Sequence, residues 1–116
     1  MPLPLVWLNG ELVPLEQARI SPLDRGFLFG DGVYEVLPVY AGRAYRFDEH
    51  IARHDRSLRE TRMHPVLDRA GWLATLGRLV HGNGGGDLLL YVQVTRGVAP
   101  REYRSGNHEG VDFYAY

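Results

Sequence analysis

Asn9-Gly10 stands between an apolar run over residues 3–8 and the return segment Glu11-Leu12-Val13. That dipeptide is the strongest short hairpin signal, so the chain is expected to open as a β-hairpin. A second hairpin is expected further on. Residues 33–40 form a β-branched and aromatic run broken only by Pro38. Ala41-Gly42 then turns the chain and residues 43–47 return it. Proline cannot donate to a ladder, so Pro38 predicts a sheet edge or a bulge.

The middle of the chain reads as helical. Asp48 is a good N-cap for a helix running to Met63, with Glu49 in its first turn and Pro65 beyond its end. A second helix is predicted from Asp68 to His81, with Trp72, Leu73, Leu76, Leu79 and Val80 on one apolar stripe. Gly82, Gly84, Gly85 and Gly86 end it. Residues 88–95 then read as an apolar, central strand, residues 97–110 as a polar loop, and residues 111–116 as the start of another strand. Strands, two helices, then strands predict an α+β fold, with two helices packed on a mainly antiparallel sheet. A chain that stops inside an apolar strand signal is expected to be a truncated domain.

Composition narrows the function. The 116 residues fit one domain, and 45% apolar with 23% charged residues is ordinary for a globular protein. A net charge of −1 offers no basic excess, so a nucleic-acid surface is not expected. With no Cys there is no disulfide, thiolate nucleophile or Cys-rich zinc site. All 13 Lys-plus-Arg residues are Arg, and lysine is absent, as the codon usage of a GC-rich genome would give. The first ten residues lack a basic start and reach a turn early, which fits neither a signal peptide nor a membrane span. Cytoplasmic residence is the expectation.

Two segments carry possible chemistry. Asp24-Arg25-Gly26-Phe27-Leu28-Phe29-Gly30-Asp31-Gly32-Val33-Tyr34-Glu35 has three glycines within seven residues beside aromatics. It reads either as a turn feeding a strand or as a phosphate loop. It lacks the Gly-Lys-Ser/Thr ending of one nucleotide motif and the Gly-x-Gly-x-x-Gly order of the other. The second segment, residues 91–101, ends a strand at Gly97 and carries Arg96 and Arg101 nearby. These are either solvated loop charges or an anion clamp, since a guanidinium can fork onto a carboxylate. His50 and His54 share a helix face at i, i+4, but Ile51 stands where a zincin needs Glu, so no metal site is expected. Glu35 follows Tyr34 and should face the other side of its strand.

Four pieces in order resemble the class IV aminotransferases, especially the D-amino-acid aminotransferases. They are Asp24-Arg25-Gly26 with Gly30-Asp31-Gly32-Val33-Tyr34-Glu35-Val36, Glu49-His50-Ile51 with Arg53, Thr95-Arg96-Gly97, and Pro100-Arg101. The resemblance covers nearly the whole chain, but only the smaller N-terminal domain of the family, here residues 1–116. It implies pyridoxal 5'-phosphate as cofactor, with Arg53 holding its phosphate. It implies that Tyr34 and Arg101 bind the substrate carboxylate, and that Tyr103 stands where these enzymes usually have His. A tyrosine can donate there but cannot become cationic near neutral pH. It also implies a homodimer, because the loop bearing Arg101 reaches the other subunit's site, and an amino acid and a 2-oxo acid as substrates. The family lysine that holds the cofactor lies beyond residue 116. The chain by itself is therefore expected to be inactive, with no catalytic residue of its own. Competing expectations are a non-catalytic binding or dimerisation domain, a branched-chain aminotransferase and an aminodeoxychorismate lyase.

Overall fold

The computed structural model of the chain describes residues 4–98 and the strand at 113–115. One six-stranded sheet holds β1 (Leu5–Leu8), β2 (Glu11–Pro14), β3 (Gly32–Tyr40), β4 (Arg43–Ala44), β5 (Leu88–Thr95) and β6 (Phe113–Ala115). Its order is β2-β1-β6-β5-β3-β4, and every described pair is antiparallel. Three α-helices accompany it: α1 (Arg25–Phe29), α2 (Phe47–Glu60) and α3 (Arg69–Gly82). The fold is α+β, as the element order predicts.

The hairpin signals act as expected. Leu8 pairs with Glu11, and Asn9 and Gly10 take φ of 48° and 93°, which the tight turn requires. β5 lies inside the sheet between β6 and β3. β3 pairs with β5 without interruption from Gly32–Thr95 to Val39–Leu88, so Pro38 makes no bulge there. The Pro38 carbonyl accepts from Tyr45 N on the β4 side, so its missing N–H faces that same side. There β4 covers only Val39 and Tyr40. Pro38 thus sits where the absent donor leaves no ladder partner unsatisfied.

Helices α2 and α3 pack on one face of the sheet. Leu37 and Val39 from β3, Leu90, Val92 and Val94 from β5, Ile51 and Leu58 from α2, and Trp72, Leu76, Leu79 and Val80 from α3 form the core. Leu73, expected on the buried stripe, is 45% exposed at its margin. Asp68 caps α3 through Gly71 N at 2.7 Å, as predicted. Asp48 does not cap α2: the helix starts two residues earlier than that cap would place it, with Arg46 as N-cap in a left-handed conformation. The carboxylate of Asp48 instead bonds Arg69 Nε at 2.7 Å, across 21 residues of sequence.

The glycine-rich segment is a turn feeding a strand. Asp24 caps α1 through Gly26 N at 2.7 Å, and its other oxygen accepts from the Thr95 hydroxyl at 3.0 Å. This holds α1 tight against the end of β5. A Cβ on Gly26 would lie 2.3 Å from Thr95 Cγ2, and one on Gly32 would lie 2.7 Å from the Val94 carbonyl oxygen. Glycine is needed here for close backbone approach.

One core residue titrates. His54 is 1% exposed, stands edge-on to Trp72 at 5.5 Å, and its ring nitrogens bond no group of the described residues. Burial holds its pKa below the usual 6.5, against the opposing pull of Asp55 and Glu35. As pH falls, the unfolded chain therefore takes up this proton first. The stability tied to neutral His54 is whole above pH 6.5 and is lost as pH falls from there through the folded value. Asp31 and Glu35 titrate below 3.8 and 4.5, outside this window. The urea midpoint should fall between about pH 7.5 and about pH 5.5, and His54→Leu should flatten that slope. An equal slope in both chains would assign the effect elsewhere.

Candidate functional site

Strand alternation sets the site. Tyr34 and Glu35 project to opposite faces of β3. Tyr34 is 65% exposed and stacks on Tyr91, with ring centroids 5.6 Å apart. Glu35 points toward α2 and is buried. Since β4 pairs only with Val39 and Tyr40, no described strand pairs with residues 32–37 on that side. Residues 32–37 therefore form an open sheet edge, with Tyr34 on one side and Glu35 on the other.

Beyond Glu35 lies a cationic groove of about 470 Å³, lined by Arg46, Glu49, His50, Ala52, Arg53 and Arg56. The spacing explains it: residues three and four apart share one helix face, and 46, 49, 50, 53 and 56 follow that rule. Three guanidiniums against the carboxylates of Glu49 and, behind the lining, Glu35 leave the groove net positive. The amino end of α2 adds to this, because it carries no side-chain cap and the helix dipole is positive there.

Arg53 is half-exposed and forks onto Glu35. Its Nε donates to Oε2 at 3.0 Å and its Nη2 donates to Oε1. His50 Nδ1 meets Oε1 at 2.7 Å. Burial raises the Glu35 pKa, but the hydrogen bonds from Arg53 and His50 outweigh it and hold the carboxyl below 4.5. Glu35 is therefore ionised near neutral pH. The guanidinium is planar with five N–H donors, so its outer edge, Nη1 with the second hydrogen of Nη2, stays available for an oxyanion. A phosphate monoester suits this donor set.

Arg96 is neither a solvated charge nor part of a clamp. It is buried, donates through Nε to Asp31 Oδ2 at 2.9 Å and through Nη2 to the Thr61 carbonyl. Arg25 Nε meets the same Asp31 oxygen at 2.9 Å. This pair of ion bridges ties the end of β5 to α1. Arg101 and Tyr103 lie outside the described residues. Of the site residues that the resemblance implies, the structure describes Tyr34 and Arg53, on opposite faces beside one open edge. His50 and His54 diverge, one toward Glu35 and the other toward Trp72. Arg46 and Arg56 were not singled out. Their spacing, seven residues before Arg53 and three after it, puts them on its helix face and is the signal that marks them. Among the described residues no helix is long and apolar enough to cross a membrane.

Known proteins share this arrangement of elements. The D-alanine aminotransferase of Bacillus licheniformis is 42% identical over 101 residues, covering 87% of this chain and 36% of that protein. The Staphylococcus haemolyticus D-alanine aminotransferase is 36% identical over 104 residues, covering 84% and 35%. The chain thus spans about a third of the relatives it matches. Among solved structures, the branched-chain amino acid aminotransferase from Escherichia coli superposes with a TM-score of 0.89 at 17% identity. It is matched over 98% of this chain and 40% of its own. The 4-amino-4-deoxychorismate lyase of Pseudomonas aeruginosa gives a TM-score of 0.78 at 28% identity, over 97% and 38%. The sequence profile of amino-transferase class IV matches residues 32–115. That span holds β3, the arginine groove, the core helices and β5, and the chain belongs to the class IV amino-transferase family.

Proposed function

We propose that this chain is the small N-terminal domain of a pyridoxal-phosphate aminotransferase acting between a D-amino acid and a 2-oxo acid. The observation that carries the reading is Arg53. Its inner edge is fixed and its outer edge is open, in a groove whose charge suits a phosphate monoester. Arg53 would hold the cofactor phosphate, with Arg46 and Arg56 adding positive potential. The choice of a D-amino acid follows the D-alanine aminotransferases, at 42% and 36% identity. When bound, the cofactor would supply an electron sink for the electron pair that the substrate's α-proton leaves behind.

The chain's own residues orient the substrate. Tyr34, on the other side of the open edge, would hydrogen-bond the substrate carboxylate through its hydroxyl. Arg101 would pair with that carboxylate as a fork, and Tyr103 would donate a neutral hydrogen bond where the family resemblance leads one to expect His. We place the enzyme in the cytoplasm as a homodimer, in which the loop bearing Arg101 completes the partner's site. Arg101→Ala in the complete enzyme should lower kcat/KM for the amino acid about a hundredfold, the loss of a charged hydrogen bond of roughly 3 kcal/mol. An unchanged kcat/KM would remove Arg101 from the site.

A lyase is the second reading, favoured by the 28% identity to the Pseudomonas aeruginosa enzyme. Profiling D-alanine, L-branched-chain donors and 4-amino-4-deoxychorismate on the complete enzyme separates the two. Turnover of D-alanine with a 2-oxo acid supports the aminotransferase. Cleavage of 4-amino-4-deoxychorismate without transamination overturns it.

A further inference from the structure

The Glu35 carboxylate needs explaining. It is 5% exposed, it is ionised, and it sits beside a groove read here as a phosphate site. A negative charge in that place repels an anion, so its charge alone would work against the groove. Its geometry works for it. Both oxygens grip the inner edge of Arg53, and His50 Nδ1 grips Oε1 from the same helix one turn earlier. The carboxylate comes from a strand paired along its length, so its own position is set by the sheet. Arg53, 58% exposed at the end of a flexible stem, would otherwise sample many rotamers.

We infer that Glu35 is a positioning residue for the anion groove: by holding the inner edge of Arg53, it turns the outer edge toward a phosphate monoester. The inference rests on the reading of Arg53 as the phosphate residue. Charge and position make opposite predictions. If Glu35 acted through charge, weakening its contact with Arg53 would leave phosphate binding the same or tighter. If it acts through position, binding weakens even when the charge is kept.

Glu35→Asp makes that separation, since it keeps the carboxylate and draws it back by one methylene from the fork. The measurement is a titration of the 116-residue chain with inorganic phosphate, followed by NMR at the Arg53 Nε–H signal. In the parent that signal should carry the shift of a charged hydrogen bond before phosphate is added. In Glu35→Asp the shift should be lost and the phosphate dissociation constant should rise about fivefold, as expected for freeing one rotamer-rich side chain. Arg53→Ala is the companion. If it binds phosphate as the parent does, the reading of Arg53 fails. If it weakens binding while Glu35→Asp changes affinity by less than about twofold, the positioning role alone falls. Should Glu35→Asp fail to fold, Arg53→Lys serves. An ammonium bonded to Glu35 has no second planar edge to offer. Unchanged phosphate affinity in that chain would overturn the inference.

Discussion

Replacing Asp31 by Ala should destabilise the chain by about 3–5 kcal/mol, the cost of breaking a buried ion pair from one side. Two guanidiniums depend on this carboxylate. Arg25 Nε and Arg96 Nε each donate to Oδ2 at 2.9 Å, and their side chains are 3% and 7% exposed. Without Asp31 both buried cations lose the carboxylate that they share. Burial pushes the Asp31 pKa up, but hydrogen bonds from Arg25 and Arg96 bring it below 3.8, so the carboxylate is charged wherever the fold is used. A domain of ordinary stability has about 5–15 kcal/mol to lose, so the variant should be only marginally folded at room temperature. Asp31→Asn should cost nearly as much, because an amide keeps the shape but not the charge. Urea unfolding of the three chains decides it. A loss under about 1 kcal/mol in Asp31→Ala would mean that the two arginines rehydrate freely, contrary to their burial.

The parts of this fold that local chemistry dictates were legible in the sequence. Asn9-Gly10 marks a turn because both positions need positive φ. Asp68 caps α3 because its carboxylate needs only Gly71, three residues on. Pro38 is tolerated in β3 because its missing donor faces the side that β4 covers only at Val39 and Tyr40. Where a distant partner decides, the sequence misleads. Asp48 has the right chemistry for a cap, but Arg69 holds its carboxylate. Phe47 is buried in the core, and the helix starts two residues earlier than an Asp48 cap would place it. Arg96 looks like a loop charge until Asp31 and the Thr61 carbonyl, 65 and 35 residues away in sequence, close on it.

The site divides in the same way. Strand alternation is enough to set Tyr34 and Glu35 on opposite faces. It cannot say that Arg53 lies over Glu35, because that depends on how α2 crosses β3. The resemblance to the family singled out Arg53 as a phosphate residue but gave Glu35 no part. Only the packed structure joins them, and helical periodicity then gathers Arg46, two turns before Arg53, and Arg56, one turn after it, into the same groove.

The 116-residue chain, purified by itself, should show no transaminase turnover at all. A class IV aminotransferase needs a primary amine that holds the cofactor covalently and carries the substrate α-proton. Lysine is absent from this chain, and arginine stays protonated, so the α-amino group of Met1 is the one primary amine available. The sheet order works against it. β1 is separated from β3 by β6 and β5, three strand spacings or about 14 Å, and the open edge with Glu35 and Arg53 lies on the far side of β3. The four residues ahead of Leu5 could span at most about that distance when fully extended. A catalytic amine must stand against the reacting atoms, and the sheet order puts β1 on the far side of the sheet from that edge. Mixing the chain with pyridoxal phosphate, reducing with borohydride and mapping the product by mass spectrometry tests this. Labelling should be confined to the N-terminus and should vanish when that amine is blocked. Turnover of a D-amino acid by the purified chain, with contaminating enzyme excluded, would overturn the requirement for a lysine supplied from outside these residues.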